Sequence, residues 1–262
     1  MPHVDKHPAG EFCWLELSST DQDAAKKFYS TLFGWNINDF PMGPAGVYTI
    51  FPLDGRDVAA GCTLRPEQTA RGVTSHWMIY IAVENADQAA AKASSLGGEV
   101  LAPAFDVMAA GRMAVVEDPT GATFCLWQAK GSAGLGITGD PGTFCWADLS
   151  TADPARAKQF YSGLFGWEIV TGDKDTSGYL HIRNAGKFIG GIPPAQMRDP
   201  HAPSHWMSYF YVTDVDEATK KAQGLGAKVY APPMTIEGAG RMSILADPQG
   251  AVFALFKETP RQ

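Results

Sequence analysis

The 262-residue sequence predicts an α+β protein built by duplication, with four strand–helix–three-strand units, two in each half. Three observations carry this. Phe12-Cys13-Trp14-Leu15-Glu16-Leu17-Ser18 returns as Phe144-Cys145-Trp146-Ala147-Asp148-Leu149-Ser150. Phe28-Tyr29 and Leu32-Phe33-Gly34-Trp35 return, in step with it, as Phe160-Tyr161 and Leu164-Phe165-Gly166-Trp167. Ser75-His76-Trp77-Met78 returns as Ser204-His205-Trp206-Met207. A repeat at half the chain length is a duplicated module and not a short solenoid period.

The elements follow in order. Residues 1–10 are polar and read as a loose arm. Residues 11–18 alternate as a strand, which sets Phe12, Trp14 and Glu16 on one face and Cys13, Leu15 and Leu17 on the other. Asp21 suits a helix N-cap. Ala25, Phe28, Tyr29 and Leu32 form the apolar stripe, and Gly34 stops the helix. In the second copy Asp153-Pro154 begins the helix, Ala157, Phe160, Tyr161 and Leu164 form the stripe, and Gly166 ends it. Short strands are expected at Trp35–Asn38, Val47–Phe51 and Val58–Cys62, and again at Trp167–Ile169, Tyr179–Ile182 and Phe188–Gly191. A polar, proline-bearing segment from Leu64 to Thr74 leads to a strand at Ser75–Val83 and a helix from Asp87 to Leu96. Strands at Glu99–Leu101, Gly111–Val116 and Thr123–Trp127 close the half, the last two joined by Asp118-Pro119-Thr120-Gly121. The second half repeats this through Ser204–Val212, Asp216–Leu225, Gly240–Leu245 and Val252–Phe256, with its turn at Asp247-Pro248-Gln249-Gly250. Residues 129–141 are small and Gly-rich, so the domains read as 1–128 and 142–262 with a linker between.

A hydrophobic content of 45% against 19% charged residues suffices for a real core. The net charge of −7 argues against nucleic acid and anionic membranes as partners, leaving a small-molecule ligand and a monomer or homodimer. Neither a secretory signal nor a bilayer-length apolar run is visible, so a cytoplasmic location is expected, with non-classical release still open. The four cysteines show no Cys-x-x-Cys spacing and read as small buried hydrophobes in a reducing compartment. No Gly-x-Gly-x-x-Gly, Gly-x-Ser-x-Gly or Cys/His nucleophile pair is evident.

The order of elements, the double Asp-x(6)-Phe-Tyr…Leu-Phe-Gly-Trp pattern, the paired Gly-Arg-Met and the paired Asp-Pro-x-Gly together resemble the glyoxalase / bleomycin-resistance / extradiol-dioxygenase (vicinal oxygen chelate) superfamily. More narrowly they resemble its two-module actinobacterial branch, typified by a mycobacterial culture-filtrate antigen. The resemblance implies that two units pair into a cupped, mixed, eight-stranded sheet with helices outside and the site inside, each half making its own cup. It also implies where a divalent metal would be held in metal-dependent members. Those positions fall on Trp14, Met78 and Cys125 in the first half and on Trp146, Met207 and Ala254 in the second. Indole offers no lone pair, methionine is a soft ligand and alanine offers nothing, so the usual metal site is absent and no cofactor is expected.

Glu16 and Asp148 lie two residues beyond the tryptophans, and His76 and His205 two before the methionines, on the same inner faces. Glu16/His76 and Asp148/His205 are therefore candidate catalytic pairs, as a His–carboxylate acid/base device or a displaced divalent-metal site, unless they merely satisfy one another or backbone groups at the sheet rim. Trp14, Met78, Cys125, Trp146 and Met207 would line an apolar pocket. Arg112 and Arg241, in the matching Gly-Arg-Met triplets, would grip an anionic ligand group or support a turn. Three functions follow. The first is a protein that binds a small apolar or aromatic molecule without the usual metal. The second is a lyase or dioxygenase-type enzyme with a displaced Glu/His site. The third is an interaction scaffold with plugged cups.

Overall fold

The computed structural model describes residues 4–172 and 177–259. The first three residues of the expected arm and the last three of the expected second module lie outside the described residues. The first half runs β1 (Phe12–Ser19), α1 (Gln22–Phe33), β2 (Asn38–Pro41), β3 (Val47–Leu53), β4 (Arg56–Thr63), α2 (Pro66–Ala70), β5 (His76–Ala82), α3 (Ala86–Ser95), β6 (Glu99–Val107), β7 (Gly111–Glu117) and β8 (Thr123–Ala129). The second runs β9 (Phe144–Ser150), α4 (Pro154–Phe165), β10 (Glu168–Thr171), β11 (Leu180–Asn184), β12 (Lys187–Ile192), β13 (His205–Tyr211), α5 (Val215–Gly224), β14 (Lys228–Ile236), β15 (Gly240–Ala246) and β16 (Val252–Glu258). Each half forms its own eight-stranded mixed sheet, in the orders β2-β3-β4-β1-β5-β8-β7-β6 and β10-β11-β12-β9-β13-β16-β15-β14. In each, the two antiparallel central strands join two three-strand wings through parallel pairs. Among the described residues no helix is long and apolar enough to cross a membrane.

The repeat motifs fold as local chemistry dictates. The Asp21 carboxylate accepts the Ala24 N–H at 3.0 Å, Asp153 accepts that of Arg156 at 3.0 Å, and Gly34 and Gly166 end their helices at φ +79° and +75°. The tyrosines repeated on these helices then cross to the other half. The Trp77 indole donates to Tyr29 Oη at 3.0 Å, and Tyr29 donates to Asp247 at 3.0 Å. Trp206 donates to Tyr161 at 2.9 Å, and Tyr161 to Asp118 at 2.8 Å. The aspartates of the two Asp-Pro-x-Gly turns therefore hold their own hairpins through backbone N–H groups and receive a tyrosine from the opposite module.

Several elements differ from the alternating pattern. A bulge at Cys13 pairs Phe12 with Ile81 but Trp14 with Tyr80, so Phe12 turns away from Trp14 and Glu16. Its ring joins the core between the sheets, 5.9 Å from Phe144 and 5.3 Å from Trp206. β9 bends in the same way between Phe144 and Trp146. β2 starts at Asn38 and not at Trp35, because the Trp35 indole is drawn into the junction, where it donates to the Gly142 carbonyl at 2.7 Å. Trp167 does likewise to the Gly10 carbonyl at 2.8 Å.

From Val4 onward the arm is pinned and not loose: Val4 N–H donates to Gly136 O, the buried His7 bonds Leu135 O, and Gly10 N–H reaches Ala82 O. Residues 129–141 are packed as well. Leu135 and Ile137 are buried, and Leu135 N–H donates to Cys13 O at 2.7 Å, which satisfies a carbonyl at the bulge. Gly134 sits so close to Cys13 O that a Cβ there would lie 2.0 Å from it.

Candidate functional site

Each cup floor is centred on one carboxylate. β1 delivers Glu16 and β9 delivers Asp148, at equivalent positions: Glu16 pairs with Ala60 and Met78, and Asp148 with Gly191 and Met207. The same register places Tyr48 opposite Tyr179 and Tyr80 opposite Tyr209 in the duplicated plan, and sets Ile50 in one cup where His181 stands in the other.

In the first cup the Glu16 carboxyl is faced by the Tyr48 and Tyr80 hydroxyls and accepts the Cys62 thiol at 3.9 Å. The Trp14 indole donates to Tyr48 Oη at 3.2 Å. Glu16, Trp14, Tyr48 and Met78 all keep partial exposure on this floor, as Trp146, Tyr179 and Met207 do on the other. Cys13, Tyr80, Cys125 and Trp127 form its buried base.

In the second cup Asp148 is almost fully buried, and both of its oxygens are taken. Oδ1 accepts Tyr179 Oη at 2.5 Å and the Trp146 indole at 3.1 Å, and Oδ2 accepts Tyr209 Oη at 2.7 Å. The Trp146 indole also reaches Tyr179 Oη at 2.9 Å. Tyr179 crosses directly over Gly191, where a Cβ would lie 2.0 Å from its hydroxyl, so glycine is what lets the phenol reach the acid. His181 stacks edge-on against Tyr179 at 4.9 Å, and its charge acts on Asp148.

Burial pushes both carboxyls above the ordinary carboxylate range, against the opposing pull of their hydrogen bonds. Burial, then the nearby Glu16, pushes the Cys62 thiol up to about 12, and burial likewise pushes the Cys125 thiol well above its ordinary value. These thiols are protonated at neutral pH and are poor nucleophiles or ligands.

The histidines expected to pair with the acids do not. His76 lies opposite Ser18 and its Nδ1 bonds the Thr74 carbonyl at 2.8 Å; His205 lies opposite Ser150 and bonds the Pro203 carbonyl at 2.8 Å. The acids turn to tyrosines because a phenol on the neighbouring strand reaches the floor, whereas a ring at the strand start is captured by its own preceding turn. Arg112 and Arg241 also stand outside the cups. Arg112 bonds Asp87 at 2.7 and 2.8 Å at the start of α3, and Arg241 holds Asp216 at 2.5 and 2.7 Å at the start of α5. They tie strand to helix, which is the turn-supporting role. Trp14, Met78, Cys125, Trp146 and Met207 do lie on the cup floors, Cys125 bonded to Tyr80.

At the three positions where the fold's metal-dependent members place their ligands, the donors are an indole spent on a tyrosine, a thioether and a neutral thiol or nothing. Among the described residues no group of three or more His, Cys, Asp or Glu side chains comes together as a metal site. This donor set does not fit a hard divalent ion.

The four tyrosines, His181 and Gly191 were not singled out from the sequence, yet a signal existed. Tyr80 lies two residues beyond Met78, and Tyr209 two beyond Met207, so alternation already places them on the inner face. A separate groove of about 630 Å³ opens away from both acids, at the junction of α1 and α5. Its Lys221 is spent on the Leu32 carbonyl at 3.0 Å.

Comparison with known proteins agrees with this architecture. Residues 12–126 match the Glyoxalase/Bleomycin resistance protein/Dioxygenase superfamily and residues 146–256 a Glyoxalase-like domain. The chain is 39% identical over its whole length, and over the whole of the relative, to the Mycobacterium bovis protein named "Putative glyoxylase CFP32". It is 32% identical to the anthracycline biosynthesis protein DnrV of Streptomyces peucetius, over 94% of this chain and 92% of that one. Among solved structures it resembles the 2,3-dioxygenase LapB of Pseudomonas sp. KL28, with a TM-score of 0.66 at 15% identity over 96% of this chain and 94% of that one. It also resembles the Mn(II)-bound glyoxalase of Novosphingobium aromaticivorans, with a TM-score of 0.64 at 16% identity over 96% and 84%. At such identities these two structures speak for the fold alone.

Proposed function

The chain belongs to the glyoxalase/bleomycin resistance protein/dioxygenase superfamily, and from that premise we propose that it binds a small apolar or aromatic molecule in its cups, without the metal chemistry of many relatives. One observation supports this above the others: on each floor a tryptophan and two tyrosines surround a single carboxylate. Aromatic walls with a few convergent polar groups are what a small-molecule site requires. The partial exposure of Trp14, Glu16 and Met78 favours an open cup over a plugged scaffold. Since two Streptomyces relatives are named for anthracycline biosynthesis, hydroxyanthraquinones and simple phenols are the first probes. Saturable quenching of tryptophan fluorescence, lost in a Trp14→Ala/Trp146→Ala double variant, is the expected result. Absence of any binder would sink the reading. A stoichiometric metal that raises the melting temperature and is lost in Glu16→Gln would sink its metal-free half.

A second reading, proton-transfer catalysis, draws on Asp148 alone. A tyrosine hydroxyl backed by a carboxylate can take a proton from a ligand while passing its own to the acid, and His181 stands close enough to tune that acid. Deuterium exchange into an enolisable α-hydroxyketone, abolished in Asp148→Asn, would support it. Exchange at the solvent rate would remove it.

A further inference from the structure

The two acids differ in what balances their charge. Asp148 is saturated by three donors, and the His181 ring packs against its Tyr179 partner. The groups that face the Glu16 carboxyl, Tyr48, Tyr80 and Cys62, are neutral, and among the described residues no ion pair to Glu16 is formed. The nearest basic side chains each have a partner other than Glu16. Arg65 pairs with Glu67 at 3.4 Å, Arg112 with Asp87, and His76 bonds the Thr74 carbonyl. A carboxylate withdrawn from water without a counter-charge is costly, and an opposite charge brought to it is correspondingly favoured.

We propose that the first cup binds an organic cation, an ammonium group carried on an apolar or aromatic body, with Glu16 as its counter-ion. The proposal rests on reading the cups as small-molecule sites and assigns the ligand's charge. Trp14, Tyr48 and Tyr80 supply rings around the acid, and an ammonium group gains from both an aromatic face and a carboxylate. Met78, directly opposite Glu16 on β5, offers a polarisable apolar contact for the body of the ligand. The net charge of −7 raises the local concentration of cations around the whole molecule. An anion would meet the opposite: an uncompensated acid and, among the described residues, no basic partner for it on this floor.

The test uses the full chain and two probes of one shape, (4-hydroxyphenyl)trimethylammonium and 4-tert-butylphenol, which differ only in the charged centre. Titration calorimetry is run on the wild type, Glu16→Gln and Asp148→Asn. The cation is expected to bind the wild type at least tenfold more tightly than the neutral probe, with that preference lost in Glu16→Gln and kept in Asp148→Asn. Equal binding of the two probes would overturn the proposal while leaving small-molecule binding intact. Binding of neither would overturn both. A preference that survives Glu16→Gln but not Asp148→Asn would move the cation to the wrong cup and also overturn it. Should Glu16→Gln fail to fold, the wild-type indole signals decide: the cation must shift Trp14, and a shift of Trp146 alone contradicts the assignment.

Discussion

In the first cup a glutamate reaches out to two tyrosines and a thiol; in the second an aspartate, one methylene shorter, is enclosed by two tyrosines and an indole. The backbones under them are equivalent. The difference comes from three neighbours: Ala60 against Gly191, Ile50 against His181, and Cys125 against Ala254. Glycine admits the Tyr179 ring over the strand and brings its hydroxyl onto the acid, and His181 then braces that ring. Duplication thus kept the carboxylate and its phenols, while the second floor closed its acid into a network of bonds of 2.5 to 3.1 Å that the first lacks.

The sharpest way to break this contrast is Gly191→Ala. The new methyl must displace Tyr179 and strand Asp148, which is expected to cost about 2 to 3 kcal/mol in chemical denaturation. The mirror change, Ala60→Gly, adds backbone freedom and removes one buried methyl, about 1 to 2 kcal/mol. Equal effects would mean the two floors are not differently built.

Ionisation sharpens the comparison next. Burial holds both folded-state carboxyls above their unfolded values, so the folded chain retains protons that the unfolded chain releases. Each acid therefore supports stability fully below about pH 4 and less as pH rises through the window up to its folded value. Relative to wild type, Asp148→Asn and Glu16→Gln should gain stability as pH rises from about 4 toward neutral, by at most about 1.4 kcal/mol per pH unit. A slope of opposite sign would contradict the burial argument.

Smaller effects follow at the indoles. Trp146→Phe removes a donor shared by Asp148 and Tyr179 and should cost about 1 to 2 kcal/mol, whereas Trp14→Phe loses one bond, about 1 kcal/mol. The smallest effect is expected for Arg112→Ala and Arg241→Ala. Their ion pairs lie on the outer, solvated side, and binding of 4-tert-butylphenol should be unchanged in calorimetry.

The fold was largely legible because its signals are local. The Asp21 and Asp153 caps, the Gly34 and Gly166 stops and the period of each strand act within a few residues. Their meaning was less legible where it depends on distant chain. Tyr29 and Tyr161 read as helix stripe, yet their hydroxyls cross to turns in the other half. Alternation alone misplaced Phe12, because the bulge at Cys13 is set by pairing with β5 and by the Leu135 N–H. In the site, Glu16 and Asp148 were found from spacing on one strand. Residue type points to histidines as their partners, but register brings Tyr80 and Tyr209 to the acids and leaves His76 and His205 at the rim.

The central claim, that the cups and not the module junction are the ligand sites, is tested most directly on the tryptophan indoles. The chain has seven, and they divide between floors and junction. In a nitrogen–proton correlation spectrum titrated with 4-tert-butylphenol, the Trp14 signal should move most. Trp146 should move less, and Trp35, Trp77, Trp167 and Trp206 should stay in place. Shifts confined to those four junction indoles, or none at saturating probe, would contradict the account.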